Sequence, residues 1–372
     1  MSVITILGAG MMGSAWCVPL LDAGHQVRLV GTHLDGEIID SLRQTGAHPK
    51  LGLELPAQLA VFPISELAVA LDAAQVIGLG VSSQGVRWAA EALAPHFSAR
   101  ASAGAQPWPV MSISKGLEWT GAELRVLPDV FSEALNAALS AGGSAPLELS
   151  PVAVAGPCIA GELARRVETC VVMTGRDPQT TRGLAALVRT PYYHAFPSDD
   201  VLGVEVCAAL KNAYAMGIAF AAGIHESRAG APGSVAMHNH ESAVFAQAVL
   251  EMMTIVELLG GDPKTAAGMA GVGDLDVTCN GGRTGRFGRL LGAGLSRDQA
   301  VQAMQGATLE CLDIIQVMHQ AVTAFEGAGR LPHGNLPLLR HMTEVVQDGA
   351  AVNVPFTRFF GGLEPQPARE HS

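Results

Sequence analysis

The sequence predicts a Rossmann-type α/β domain with a doubly wound parallel sheet, followed by an all-α C-terminal domain. Three observations predict it. A β-branched run, Val3–Leu7, leads directly into Gly8-Ala9-Gly10-Met11-Met12-Gly13 and a helical pattern. Further apolar runs of strand length then alternate with helical stretches across the first half of the chain. After about Pro197 the strand signals stop, and long Ala- and Met-rich helical segments replace them.

Each element has its own reason. Val3–Leu7 is a strand because it is short, apolar and β-branched. A helix is expected from Ser14 to about Ala23, then a second strand at Val27–Val30. Val76–Val81 reads VIGLGV, continuously apolar as a parallel strand buried on both faces must be. Val110–Ile113, Val152–Ala155 and Cys170–Met173 repeat that character, with helices at Gly85–Leu93 and Leu124–Ala138 between them. Downstream, helices are expected at Val201–Ile224, Ser242–Leu259, Ser296–Met304, Leu309–Phe325 and Leu336–Gln347. Ser227–Pro232 and the glycine-rich Gly271–Gly288 read as loops between helices. The division expected is a dinucleotide-binding domain over 1–196, an all-helical substrate domain over 197–355, and a loose tail over 356–372, where Pro, Gly and charge accumulate.

The 372 residues suit two domains; with 49% apolar and 15% charged residues the chain can bury a sizeable core. A net charge of −11 without a basic stripe argues against nucleic acid and anionic membranes as partners. Mean hydropathy is positive, but no run of eighteen uncharged apolar residues occurs, so no membrane span is expected. The six cysteines are scattered, with no Cys-x-x-Cys pair and no leader-like segment before the first strand. A reducing cytoplasm fits that usage.

Lys211 stands out chemically. In VLGVEVCAALKNAYAMGIAFAAGI, residues 201–224, the only other charge is Glu205. Helical spacing puts Lys211 on one face with Val204, Ala208, Ala215, Ile218 and Ala222. A buried ammonium needs a partner, a lowered pKa or a task; the alternative is a side chain snorkelling to water.

The glycine pattern lies between a strand and a helix, which makes it a dinucleotide fingerprint: Gly8 for the turn, Gly10 for backbone approach to a pyrophosphate, Gly13 for helix–strand packing. Met11 and Met12 belong to the same cofactor-contacting loop. The second strand ends Val30-Gly31-Thr32-His33, with Asp35 further on. No carboxylate stands at the usual place to repel a 2′-phosphate, and Thr32 and His33 could hydrogen-bond one. Both NAD and NADP are therefore open. Lys115, in Ser112-Ile113-Ser114-Lys115-Gly116-Leu117-Glu118, follows a strand's carboxyl end, where open α/β sheets place ligands. Asp274, Thr278 and Arg283, in the glycine-rich Gly271–Gly288 segment, supply a carboxylate, a hydroxyl and a guanidinium.

Taken together, these motifs resemble the NAD(P)-dependent glycerol-3-phosphate dehydrogenase family over about residues 2–350. The resemblance rests on the glycine fingerprint, Ser83-Gln84, Lys115-Gly116-Leu117-Glu118, Ala155-Gly156-Pro157 with Ala160 and Glu162, Asp200 through Glu205 to Lys211-Asn212, Gly273-Asp274-Leu275 to Arg283, and Glu310, in that order. It implies that Lys211 is the acid/base, that Lys115 binds and polarises substrate, and that Asp274 and Thr278 orient the lysine and contact substrate. It further implies phosphate binding by Arg283, substrate contacts from Thr284 and Asn212, and cofactor contacts from Ser83, Ala160, Arg283 and Glu310. The implied reaction is NAD(P)H-dependent reduction of dihydroxyacetone phosphate to sn-glycerol 3-phosphate, feeding glycerophospholipid synthesis; the implied assembly is a homodimer.

Several positions depart from the family. Thr284 replaces an asparagine, Ser82 a proline, and Glu241 a basic residue in Asn239-His240-Glu241-Ser242-Ala243; a later arginine is missing around Ala246-Gln247-Ala248. These changes are expected to cluster on the substrate side. They leave open a same-fold dehydrogenase acting on another phosphorylated polyol or hydroxy-ketone, and a non-catalytic NAD(P)-binding sensor. The segment around His225, Arg228, His238 and His240 lacks a completing carboxylate or cysteine, so no metal site is expected.

Overall fold

The computed structural model describes residues 1–229, 237–280 and 282–362. The chain opens with β1 (Val3–Leu7), α1 (Met11–Asp22), β2 (Gln26–Val30), α2 (Gly36–Thr45), a small hairpin of β3 (Ala47–His48) and β4 (Leu53–Glu54), β5 (Ala60–Phe62), α3 (Leu67–Leu71) and β6 (Val76–Leu79). It continues through α4 (Gly85–Ser102), β7 (Val110–Ser112), a second hairpin of β8 (Leu117–Trp119) and β9 (Leu124–Val126), α5 (Leu127–Ala141), β10 (Val152–Ala155), α6 (Ala160–Leu163), β11 (Thr169–Thr174), α7 (Pro178–Val188) and β12 (Tyr193–Ser198).

Eight of these strands form one sheet in the order β12-β11-β10-β7-β6-β1-β2-β5. Neighbours run parallel except β10 and β11, where Val154 pairs antiparallel with Met173. β1 sits in the middle, with Ile4, Ile6 and Leu7 fully buried. Trp16 and Leu20 of α1 join the apolar cluster on one face, and Phe97, Trp108 and Phe131 that on the other. After β1 the chain winds outward through β2 to β5, then returns to place β6 on β1's other side. The carboxyl ends of β1 and β6 are thus the switch point, where such sheets bind ligands.

The remaining helices are α8 (Val201–Ala229), α9 (His238–Leu258), α10 (Asp274–Cys279), α11 (Arg283–Gly292), α12 (Arg297–Ala303), α13 (Glu310–Gly327) and α14 (Pro337–Gln347). They assemble around α8, which α9, α10, α11, α13 and α14 all touch. By length and composition α8 is apolar enough to cross a membrane, but 89% of its most apolar window is buried within the fold. That makes it a core helix, apolar all round because it is surrounded.

The structure corrects several element assignments. The expected parallel sheet is present, with one antiparallel pair where β11 reverses against β10. Leu124–Val126, read as the start of a helix, is a strand paired with β8, and the helix starts only at Leu127 with Pro128 in its first turn. β12 was not foreseen; its Pro197 is tolerated because the strand lies at the sheet edge. The Gly271–Gly288 segment is not a loop. It holds the end of a π-helical turn (Met269–Gly273), all of α10 and the start of α11. Its glycines read as chain breakers, yet a Cβ on Gly288 would lie 2.2 Å from the Met216 carbonyl oxygen. Close approach of α11 to α8 explains that glycine. The segment at 356–361 is ordered: Phe359 is buried, and the Phe360 N–H donates to Gln247 Oε1 at 3.0 Å. Of the Ser227–Pro232 loop, residues 227–229 continue α8 and the rest lies outside the described residues.

Candidate active site

β7 ends at Ser112 and the chain turns at Lys115, beneath the first residues of α10 and the middle of α8. Lys115 Nζ donates to Asp274 Oδ2 at 2.6 Å, and Lys211 Nζ donates to Asp274 Oδ1. The Gly156 N–H is a third donor to the carboxylate, reaching Oδ2 at 3.3 Å. Asp274 is fully buried, and the lysine side chains are 18% and 11% exposed for Lys115 and Lys211. Three remote segments therefore meet on one carboxylate.

The electrostatics follow from crowding two ammoniums on one carboxylate. Burial and then the neighbouring Lys115 charge pull Lys211 down to about 8, against the pull of Asp274. For Lys115 burial also acts downward, but the Asp274 carboxylate outweighs it and holds the pKa above the ordinary lysine value. Burial would raise Asp274, but the two lysines outweigh it and keep it ionised below the usual aspartate range. The cluster carries a net positive charge in an acidic protein, which suits an anionic ligand.

The other expected residues surround this cluster at varying distance. Thr278 Oγ1 donates to the Asp274 carbonyl at 2.6 Å, so its hydroxyl proton is used within α10. Asn212, next to Lys211 on α8, donates through Nδ2 to Glu310 Oε2 at 2.8 Å and so ties α8 to the start of α13. Arg283 and Thr284 open α11; Arg283 is exposed and makes no ion pair among the described residues. Ser83 follows β6 and packs under Gly116: a Cβ on Gly116 would lie 2.9 Å from that of Ser83. Ala160 begins α6, just beyond Cys158.

The fingerprint fits a dinucleotide. Gly8 has φ +115°, and a Cβ there would meet the Gly80 backbone at 2.6 Å; a Cβ on Gly13 would lie 2.2 Å from the Gly8 carbonyl oxygen. Gly10 faces open space, and behind it α1 presents its N-terminus at the residue Met11. This is the cradle a pyrophosphate needs. Past the end of β2, where the sequence has a carboxylate only further on at Asp35, the structure brings that carboxylate back to the fingerprint loop. Asp35 folds back, and its Oδ2 accepts from the Thr32 N–H at 2.8 Å, Thr32 Oγ1 at 2.8 Å and the Ala9 N–H at 3.1 Å. Thr32 thus spends its hydroxyl proton inside the turn, while His33 is exposed and lies edge-on to Trp88, ring centroids 5.1 Å apart.

Sequence reasoning missed other groups. The Gly156 amide has no side-chain signal. Cys158 lies close enough to feel Lys115, Lys211 and Asp274, and burial pushes its thiol up to about 12, so it stays protonated. Glu205, the other charge noted on α8, turns out to be fully buried with no strong partner, and burial pushes it up to about 8. The departures also do not all lie on the substrate side. Gln247 is buried against Glu251, with Nε2 to Oε1 at 2.9 Å, away from the lysines. Glu241 does border a cavity of about 690 Å³ between α8, α9, α10 and α11 that reaches Ala215, one turn beyond Lys211. His238 pairs with Glu241 at 3.5 Å, whereas His240 packs edge-on against Phe356.

A Rossmann-type sheet with an intact fingerprint and a lysine–carboxylate cluster beside it defines an NAD(P)-dependent oxidoreductase acting on CH–OH groups. Residues 3–181 match the family described as NAD-dependent glycerol-3-phosphate dehydrogenase N-terminus, and residues 200–356 its C-terminus. The chain belongs to the NAD-dependent glycerol-3-phosphate dehydrogenase family. It is 35% identical over 303 residues to the NADP(+)-dependent glycerol-3-phosphate dehydrogenase of Archaeoglobus fulgidus, covering 82% of this chain and 84% of that one. It is 32% identical to glycerol-3-phosphate dehydrogenase [NAD(P)+] 1 of Salinibacter ruber, covering 82% and 81%. In fold it is similar to glycerol-3-phosphate dehydrogenase from Coxiella burnetii, with TM-score 0.75, 24% identity and coverage of 94% and 96%.

Proposed function

We propose that the protein interconverts dihydroxyacetone phosphate and sn-glycerol 3-phosphate, with Lys211 as acid/base. The observation that carries this reading is the Asp274 carboxylate bridging Lys115 and Lys211. Bound on the fingerprint, the nicotinamide would supply or accept hydride at the central carbon. In the reducing direction the Lys211 ammonium donates its proton to the ketone oxygen as that oxygen gains charge; in the oxidising direction the neutral amine removes the hydroxyl proton. A pKa of about 8 leaves both forms available near neutral pH. Lys115 stays charged and polarises the same oxygen. Asp274 keeps the two lysines together, and Asn212 and Thr278 steady α8 and α10. Arg283 and Thr284 hold the phosphate, so that binding remote from the reacting carbon orients it.

Residues 1–196 would carry the cofactor and 197–355 the substrate, the product feeding glycerophospholipid synthesis in a reducing cytoplasm. The unpaired state of all six cysteines supports that compartment. The cavity beside Glu241 favours one second reading, a larger or differently charged phosphorylated polyol.

The test is steady-state oxidation of NADH and NADPH with dihydroxyacetone phosphate and with a panel of other phosphorylated and unphosphorylated ketoses. Turnover with the three-carbon phosphate above all others is expected. Preference for another ketose would support the second reading, and cofactor binding without turnover of any would support a sensor.

A further inference from the structure

The β8–β9 hairpin and the helices behind it enclose a second cavity, lined by none of the residues assigned to cofactor or substrate. It holds about 450 Å³ and opens between that hairpin, the start of α5, the first turns of α8 and the end of α13. Its walls are largely apolar: Leu117 and Val126 at the two ends of the hairpin, Leu202 and Val206 on α8, Leu259, and Phe325 on α13. Trp119 brings the hairpin onto α13, its ring edge-on to that of Phe325 with centroids 6.0 Å apart.

Three arginines also line it, and they differ in availability. Arg176 Nε donates to Asp129 at 2.9 Å, and Arg125 is paired with both Glu123 and Glu133. Arg330 is left over, with no ion pair among the described residues. It is nonetheless held in place. Its backbone N–H donates to the Phe325 carbonyl at 2.9 Å, and its guanidinium lies over the Phe325 ring, 4.5 Å from the centroid. Its Nη2 reaches the Leu258 carbonyl at 3.4 Å, which leaves most of its five donors unspent. A fixed cation beside apolar walls suits a ligand with an apolar body and one negative end. A carboxylate can take two parallel N–H donors from a single guanidinium. A phosphate dianion suits the place less well, because Glu123 and Asp129 line the same cavity and repel a second negative charge.

We propose that this cavity binds a small aliphatic carboxylate, its head on Arg330 and its chain against Leu202, Val206 and Phe325. Such an occupant ties the hairpin to α8 and α13. Leu117, on the cavity wall, stands two residues past Lys115, so the occupant touches the segment that also carries one lysine of the buried cluster. The site is separate from the cofactor and substrate positions, and its reading does not depend on which substrate is turned over.

The test is isothermal titration of the full-length protein with sodium octanoate, sodium butyrate and inorganic phosphate, each with and without saturating NADPH. Octanoate should bind roughly tenfold or more tightly than butyrate, because the longer chain buries more methylene groups, and it should raise the melting temperature. NADPH should not displace it. Arg330→Gln should weaken octanoate roughly tenfold or more, as loss of a charge-assisted contact requires, while leaving affinity for NADPH and for phosphate unchanged. Arg330→Lys should restore part of the octanoate affinity. Absence of octanoate binding, equal affinity for butyrate, displacement by NADPH, or unaltered binding by Arg330→Gln would overturn the proposal. Loss of phosphate binding in Arg330→Gln with octanoate unaffected would overturn the choice of a carboxylate.

Discussion

Lys211 and Asp274 form an ion pair in which the carboxylate is fully buried and its second oxygen is already taken by Lys115. The two are 63 residues apart in the chain and lie on different helices, α8 and α10. One anion between two cations lets both lysines sit largely out of water while leaving one positive charge for a substrate. Removing Lys211 leaves a balanced ion pair, whereas removing Asp274 leaves two cations facing each other, and the first two predictions rest on that difference.

Lys211→Met should remove acid/base catalysis and keep the fold, because methionine matches the stem and leaves Asp274 paired with Lys115. The expected loss in kcat is about 10²–10⁴-fold, with little change in cofactor affinity measured by titration. In the native protein, ketone reduction should fall as pH rises through about 8, where Lys211 loses its proton, and alcohol oxidation should rise through the same value. Near-normal turnover in the variant would sink the acid/base assignment.

Asp274→Asn leaves two ammoniums facing each other without an anion. Lys211 loses the attraction that partly offsets burial and the Lys115 charge, so the pH limb of reduction should move below about 8. Breaking a buried ion pair by removing one partner costs roughly 3–5 kcal/mol, so the melting temperature should also fall. An unmoved pH limb in a folded variant would show that Asp274 does not set the Lys211 charge.

Glu205 should make stability depend on pH. Its folded-state pKa is raised by burial to about 8, above the ordinary value of 4.5. The folded protein then holds a proton that the unfolded chain releases, so this contribution is full below about 4.5 and is lost as pH rises to about 8. Glu205→Gln should flatten the fall in melting temperature over that window. Glu251, buried and raised to about 7, should leave part of the slope in the variant. Parallel melting curves for the two proteins between pH 5 and 8 would refute the buried neutral carboxyl.

Gly288→Val tests the contact that positions α11. The added Cβ would lie 2.2 Å from the Met216 carbonyl oxygen, so α11 must move off α8 or the chain must unfold. Overpacking of this kind costs about 1–3 kcal/mol or more, and because Arg283 and Thr284 ride on α11, KM for the phosphorylated substrate should rise before cofactor affinity changes. A variant with native stability and KM would show that the close approach is not needed.

Local signals in the sequence determined a good part of this protein. A β-branched run meeting Gly8, Gly10 and Gly13 specifies strand, turn and helix within about ten residues, because the steric demands are local. Lys211 was legible for a similar reason: a charge on an otherwise apolar helix is conspicuous without knowing its neighbours. The tertiary structure decided what depends on packing across distance. It turned β11 against β10, and it made the Gly271–Gly288 segment helical because Gly288 answers to α8 rather than to its own neighbours. It folded Asp35 back onto Ala9, where spacing along β2 suggested no carboxylate would stand. It also brought His48, unremarkable in sequence, to the fingerprint loop, where its Nε2 lies 3.1 Å from the Ala9 carbonyl. Local patterns encode which conformation a segment prefers; which distant charge completes a carboxylate or an ammonium is settled only when the elements close on one another and exclude water.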